Sequence, residues 1–395
     1  MRYTLMNQGR EVLDFAMDAN SGLPTDIRPR EGMGWAPMQF PTDGQDLVPS
    51  LDRFLRQRAI CVDREDLASI MRACGTRRAV DLALQSGGFS LSDQYWYRRE
   101  GTDQTWEVSN FFDNEWDPSF GEAILKKDYD ALAHASTRTP DTTLGGFCRK
   151  AWIQTERGPR LHKATCADDA NILCEALVSR MLDRLVGMRG HVPYQPATFC
   201  GELYSTSPVM LGKDEELVRG IELLGREGVA LERLDAATGM RNFDELMGIY
   251  LRALQKHGVP EPRQAVAKVF VTATLTLDFD THPSNFGFIR NLKTLELREA
   301  PLFDHGRGFT YMRDKFALIK REPRVAELLL GLHFCRLDPA WDYSWYDPHA
   351  LDGFEDEILE TLSAIDVLPK GYAELMVALF KKQRSYVNRI AERSR

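Results

Sequence analysis

The sequence has no long apolar run: nothing in its 395 residues approaches the roughly eighteen consecutive apolar side chains that a membrane-spanning helix needs. It also lacks the start of an exported protein, because MRYTLMNQGREVLDF carries charges and a turn where a signal has an apolar stretch, and a cytoplasmic location is expected. Cysteine is scarce and unpatterned. The seven, at 61, 74, 148, 166, 174, 200 and 335, form no C-x-x-C pair and stand at none of the His spacings of a zinc site, which predicts reduced, mostly buried thiols. Positive charge is in deficit, with 50 Lys and Arg against 58 Asp and Glu and a formal net charge of −8. Phosphate backbones are gripped by clustered cations, so a nucleic-acid coat is excluded as the main role, and a protein or a nucleotide with Mg²⁺ is the expected partner. No internal repeat or low-complexity run is present.

What remains is an ordinary globular composition, 43% hydrophobic and 27% charged, long enough for two or three domains or one enzyme of two lobes. Residues 2–6 and 11–17 alternate around Asn7-Gln8-Gly9 and predict an opening hairpin. Residues 18–46 are rich in Gly, Pro, Asp and Asn and read as a long surface loop. Between 47 and 73 apolar residues recur at helical spacing on either side of a break at 59–63, which predicts two short helices. Arg53, Arg56 and Arg58 invite a DNA-binding reading of this pair, but helical hairpins are far more often packing elements, and DNA contact is not expected. The density of Trp, Tyr and Phe from 90 to 116 predicts core.

Residues 139–160 read strand, turn, strand, with Gly145-Gly146 ahead of the hairpin. Backbone amides at such a pair can approach phosphate oxygens, because glycine adds no side chain and tolerates positive φ, although the pair belongs to neither G-x-G-x-x-G nor a P-loop. Lys163 ends the hairpin, where a flexible ammonium could reach phosphates. A helix over 170–185 follows, with Asp168-Asp169 at its start and Glu175 in its second turn; in a kinase such a Glu pairs with the strand Lys. Strands are expected within 193–209, helices over 213–224 and 242–257, and another opening at Glu261-Pro262. Residues 271–277 alternate strictly and by local pattern form a strand. After 304, residues 315–334, 353–363 and 370–392 show helical spacing, broken by prolines.

The stretch from 269 to 309 carries the chemistry. Transfer of a γ-phosphoryl group needs a carboxylate at the attacking hydroxyl and hard oxygen ligands for Mg²⁺. Asp280-Thr-His282-Pro-Ser-Asn285 places an acid and an amide five residues apart, the interval between base and metal-binding Asn in the protein-kinase catalytic loop, with His282 inside it. About twenty residues on, Leu302-Phe303-Asp304-His305-Gly306 puts an acid after two apolar residues, like the D-F-G metal turn with His for Phe. A hairpin turning at Asn291 would bring the two together around one cation.

D-x-H-x-x-N-F-G-F followed by P-L-F-D-x-G resembles the HipA-like serine/threonine kinase family, whose D-x-H-x-x-N is shared with the phosphoinositide kinases. The segments SLSDQYWYR, NFFDNEW, TPDTTLGGFCRKAW, LHKA and EALVSRML are similar to the N-terminal parts of bacterial HipA-domain proteins, so the resemblance covers most of residues 47 to 309. It implies an α+β, two-lobed protein-kinase-like fold using ATP and Mg²⁺: an accessory α/β region over 1–135, a nucleotide-binding N-lobe over 136–212 and a mostly helical C-lobe over 213–395. It also implies that residues 271–277 are a buried helix rather than a strand. By the resemblance Asp280 is the catalytic base, Asn285 and Asp304 bind metal, and Lys163 contacts ATP phosphates, with Gly145, Gly146, Glu175 and His282 as further nucleotide-site candidates. The implied acceptor is a Ser or Thr of a protein, with an antitoxin or other regulatory partner. The alternatives are a small-molecule or lipid-head-group kinase, and a silent partner-binding pseudokinase. Thr142 and Thr143 are candidate sites of inhibitory autophosphorylation, set against the reading that both merely cap a turn after Pro140-Asp141.

Overall fold

The computed structural model of the chain describes residues 1–41, 46–165, 168–229, 243–333 and 337–394. They sort into two compact units that alternate along the chain: Met1–Cys166, Pro208–Val218 and Ile289–Glu296 form the first, and Ala167–Ser207, Arg219–Phe288 and Leu297–Arg395 the second.

The first unit opens with the expected hairpin, β1 (Arg2–Asn7) and β2 (Arg10–Met17), turning at Gln8, whose φ is +50°. Leu5 faces Leu13 while Met6 faces Glu11, so Val12 is an extra residue, and the bulge lets both Val12 and Leu13 turn inward. Residues 18–46 are not the structureless loop expected. They contain β3 (Pro24–Pro29), antiparallel to β2, and a 3₁₀ turn over Glu31–Trp35. In the order β3-β2-β1-β4, with β4 at Tyr95–Arg99, β3 is an edge, the one sheet position that tolerates its two prolines. One face packs Leu5, Leu13, Phe15 and Tyr97 against Phe40, Leu51 and Phe54.

Helices Val48–Gln57 and Leu67–Ala73 stand where expected, followed by Ala79–Gln85. Of the arginines that suggested DNA, exposed Arg56 donates along its own helix to Asp52 at 2.9 Å, whereas Arg58 is buried and donates to Asp93 at 2.7 Å and to the carbonyls of Gly88 and Tyr95. The aromatic stretch is core, with Phe89, Trp96, Trp106, Phe111 and Trp116 in one cluster. The hairpin of β5 (Lys150–Thr155) and β6 (Gly158–Lys163) completes the series.

The helix expected over 213–224 is instead a strand, Glu215–Arg219, and then a helix, Gly220–Arg226. Inward residues alternate with half-buried ones, but one inward residue is Glu216, so the period-two pattern is hidden by a buried charge. Glu216 pairs with Arg290 and accepts from Asn7 Nδ2 at 3.2 Å; Arg290 also donates to the Ala36 carbonyl and to Tyr95 Oη, at 2.8 and 2.9 Å. Three distant segments are thus fastened by one buried ion pair, within which burial pushes the Glu216 carboxyl upward. The thiol expectation also needs correction: Cys148 is disulfide-bonded, and a single cysteine beside a glycine pair gives no local sign of this. Cys61, Cys74, Cys174 and Cys200 are free, but only Cys174 is fully buried and Cys200 is exposed, whereas Cys166 and Cys335 lie outside the described residues.

The second unit is mostly helical. Ala170–Leu185 has the predicted bounds and buries Ile172, Leu177 and Met181. A hairpin of Gln195–Phe199 and Glu202–Pro208 follows, then helices Phe243–Lys256, Pro262–Thr276, Phe316–Arg321, Arg324–His333, Phe354–Ser363 and Tyr372–Arg393. The alternating residues 271–277 are helical to Thr276, as the family resemblance implied. Every residue from Val271 to Thr276 is buried, and a helix enclosed on all sides has no polar face to display a 3.6-residue period. Among the described residues no helix is long and apolar enough to cross a membrane.

Candidate active site

In the second unit the site begins where helix Pro262–Thr276 stops. Leu277 takes the left-handed conformation, φ +57°, which ends the helix and turns the chain into Asp278. Asp278 is only 2% exposed; its N–H closes the last turn on Ala273, and its Oδ1 accepts from the Asp280 N–H at 3.0 Å. The Thr281 hydroxyl donates to the Asp278 carbonyl. The predicted D-x-H-x-x-N segment is a wound turn: His282 N–H donates to the Asp280 carbonyl, Asn285 N–H to the His282 carbonyl, and Ser284 N–H to His282 Nδ1. Asn285 Nδ2 also donates to the Asp280 carbonyl, at 2.9 Å. That bond fixes which end of the amide is used, and leaves Oδ1 as an oxygen ligand. The Asp280 carboxylate is half exposed, with His282 Nε2 at 3.9 Å from Oδ1. Gly220 lies against the turn. A Cβ there would stand 2.9 Å from the Pro283 carbonyl and 2.7 Å from the Phe286 ring, and Ile221 N–H donates to that same carbonyl, so the missing side chain permits the approach.

The second acid turn is held from another side. Leu302 exchanges backbone hydrogen bonds with Gly190 and Val192, at 2.9 and 2.8 Å, and the Asp304 N–H donates to Tyr194 Oη at 3.0 Å. Asp304 has φ +62° and Phe309 has φ +61°. With Leu277 these make three left-handed non-glycine residues around the two turns, the kind of backbone strain that persists only where surroundings impose it. Phe309 is pinned by its N–H to the Thr276 carbonyl at 2.7 Å and by Tyr372 Oη on its own carbonyl at 2.7 Å. His305 is buried, with Nδ1 3.9 Å from Asp278 Oδ2.

The two turns share a buried acid that feels the charges around it. Burial pushes the Asp278 carboxyl up to about 7, and the nearby carboxylates of Asp280, Asp304 and Glu175 push the same way, against the Asp280 amide that favours the anion. Glu175 is not a surface residue: it is 1% exposed and accepts from the Ser205 hydroxyl at 2.5 Å. Sequence reasoning placed Asp280, Asn285, Asp304 and Glu175 among the candidates and missed Asp278, His305 and the Phe279–Tyr311 ring stack, centroids 4.2 Å apart, beside the base. The doublet Asp278-Phe-Asp280 was the available signal, since an acid two residues ahead of another can cap its amide.

The remaining candidates lie in the first unit. Gly146 has φ +87°, and a Cβ there would come within 2.6 Å of Lys150 Nζ, so the loop before β5 needs glycine. Gly145 stands ahead of it, where a Cβ would meet the Gln57 carbonyl at 3.0 Å. Lys163 ends β6, opposite Lys150 in register and half-buried. Thr142 and Thr143 are buried in a 3₁₀ turn over Pro140–Thr143. The Thr142 hydroxyl bonds Ser86 Oγ at 2.8 Å and that of Thr143 donates to the Phe89 and Pro140 carbonyls, so neither presents an oxygen for phosphorylation in this conformation.

Among the described residues no three His, Cys, Asp or Glu side chains form a metal cluster by themselves. The donors that the turns offer, one amide oxygen and one carboxylate, fit Mg²⁺, which completes its shell with water and phosphate oxygens.

Two solved structures are similar. HipA of Shewanella oneidensis MR-1, in a complex of the toxin–antitoxin proteins HipA and HipB with operator DNA, matches across 99% of both chains at 10% identity with a TM-score of 0.51. The Helicobacter pylori proinflammatory kinase CtkA matches 63% of this chain and 96% of its own at 16% identity, with a TM-score of 0.43. No protein-family model and no curated protein matches. The chain has the HipA-like form of the kinase-like, two-lobed α+β fold.

Proposed function

We propose that the protein is an ATP- and Mg²⁺-dependent phosphotransferase that moves the γ-phosphoryl group of ATP to a serine or threonine hydroxyl of another protein. The observation that supports this most is the wound D-x-H-x-x-N turn, in which the Asn285 amide is bound to the Asp280 carbonyl and buried Asp278 accepts the Asp280 N–H, leaving the Asp280 carboxylate half exposed. The half-exposed Asp280 carboxylate takes the acceptor's proton as the hydroxyl oxygen bonds to phosphorus and ADP departs. Asn285 Oδ1 and the Asp304 carboxylate would hold Mg²⁺, which when bound neutralises charge on the phosphate oxygens. Lys163 and the amides of Gly145 and Gly146 are assigned to the phosphates, and His282 and Glu175 to the nucleotide site. The HipA complex with HipB supports an antitoxin-like regulatory partner for this chain.

The test is incubation of purified protein with γ-labelled ATP, Mg²⁺ and a cell lysate, followed by identification of the labelled species. Asp280→Asn is expected to lower transfer by about 10²-fold or more while Mg-ATP affinity stays nearly unchanged. Wild-type turnover in Asp280→Asn overturns the assignment.

A further inference from the structure

We infer that Asp278 is a positioning residue of the phosphoryl-transfer site: its carboxylate sets the direction of the catalytic base. The inference rests on the function proposed above.

Asp278 touches both turns. One oxygen accepts the backbone N–H of Asp280, fixing the peptide from which the base projects, while the other faces His305 Nδ1 at 3.9 Å, next in the chain to Asp304. Its carbonyl accepts the Thr281 hydroxyl, and its own N–H caps helix Pro262–Thr276 on Ala273, so its main chain is fixed at the helix end. The side chain is 2% exposed and cannot itself reach an acceptor hydroxyl in solvent. No Lys or Arg side chain forms an ion pair with it among the described residues, so its burial among acids is not explained as a salt bridge that stabilises the fold. A carboxyl kept in such surroundings is explained by what it holds. An acceptor oxygen at this point is what stops the Asp280 peptide from turning, and misplacement of a catalytic group by about 1 Å can cost about 10²-fold in rate.

The experiment compares Asp278→Asn, whose amide oxygen can still accept the Asp280 N–H, with Asp278→Ala and Asp278→Val, which carry no acceptor. Steady-state transfer and Mg-ATP binding are measured on full-length protein, with thermal melting to select folded variants. The expected result is a kcat about tenfold or more lower in Ala and Val with KM for ATP within about twofold, and recovery to within about threefold of wild type in Asn. A merely structural role would move KM and melting together and would not be rescued in kcat alone. Equal loss in Asn and Ala, or full activity in Ala, overturns the inference while leaving the kinase reading intact. Absence of transfer in the wild type overturns that reading and the inference with it. Should Ala and Val fail to fold, Asn alone decides, since its activity must survive.

Discussion

Two buried acids, one in each unit, are handled in opposite ways. Glu216 is enclosed with a guanidinium, Arg290, and further satisfied by Asn7 and Tyr95. Asp278 is enclosed with no cationic partner but an imidazole nitrogen at 3.9 Å, and the carboxylates of Asp280, Asp304 and Glu175 act on it only through their field. The first arrangement is closed: its charge is balanced within the unit and it fastens the N-terminal hairpin to two later segments. The second is open: among the described residues no Lys or Arg forms an ion pair with Asp278, and its carboxyl is pushed upward instead.

The largest expected effect breaks the closed arrangement. Arg290→Met leaves Glu216 buried without its partner and should cost about 3–5 kcal/mol of stability in denaturant unfolding, much of it recovered in Arg290→Met/Glu216→Met, which removes both charges. A single-variant loss below about 1 kcal/mol would show that the pair is not a unit.

The open arrangement is sharpened by ligand. Mg²⁺ with ADP should raise the melting temperature of the wild type by several degrees. Asp304→Asn should lose most of that increment, and Glu216→Gln should keep it. Equal increments in all three proteins would separate the acid cluster from metal binding.

Lys163→Ala tests the third region. Removing a half-buried, strand-end ammonium should weaken ATP binding by about tenfold with little change in melting, and unchanged ATP affinity would return Lys163 to an ordinary solvated role.

The smallest effect concerns a third buried acid, Asp141, which is neither ion-paired nor among acids. Burial pushes it up from 3.8 to about 6, against hydrogen bonds from Thr139 Oγ1 and the Trp152 N–H. The folded state therefore holds this proton to higher pH than the unfolded chain, and the associated stability is present below about pH 4 and lost as pH rises toward 6. Asp141→Asn should flatten that part of the melting profile, and an unchanged slope would assign it to other groups.

Legibility from sequence followed the same division. The two acid turns, the Asn285 amide within the first of them and helix Ala170–Leu185 were readable because each is a local pattern of residue types. β3 was hidden by its prolines, which an edge position allows, and the strand at Glu215–Arg219 was hidden because an inward Glu reads as an outward one until its Arg is known. The buried state of Glu175 and the closure of Asp278 over Asp280 depend on contacts from Ser205 and from the helix end, which no local pattern encodes. The helix over 271–276 was recoverable only through family resemblance, since complete burial had erased its period.

The alternation of the two units along the chain bears on the order in which the protein is made. Asn7 and Glu216 are 209 residues apart, and the first unit is complete only with residues 289–296. On the ribosome the buried ion pair can therefore form only once Arg290 has emerged, by which time much of the second unit has been synthesised. A chain stopped before Arg290 presents Glu216 without its cation, so the first unit reaches its full stability only late in synthesis.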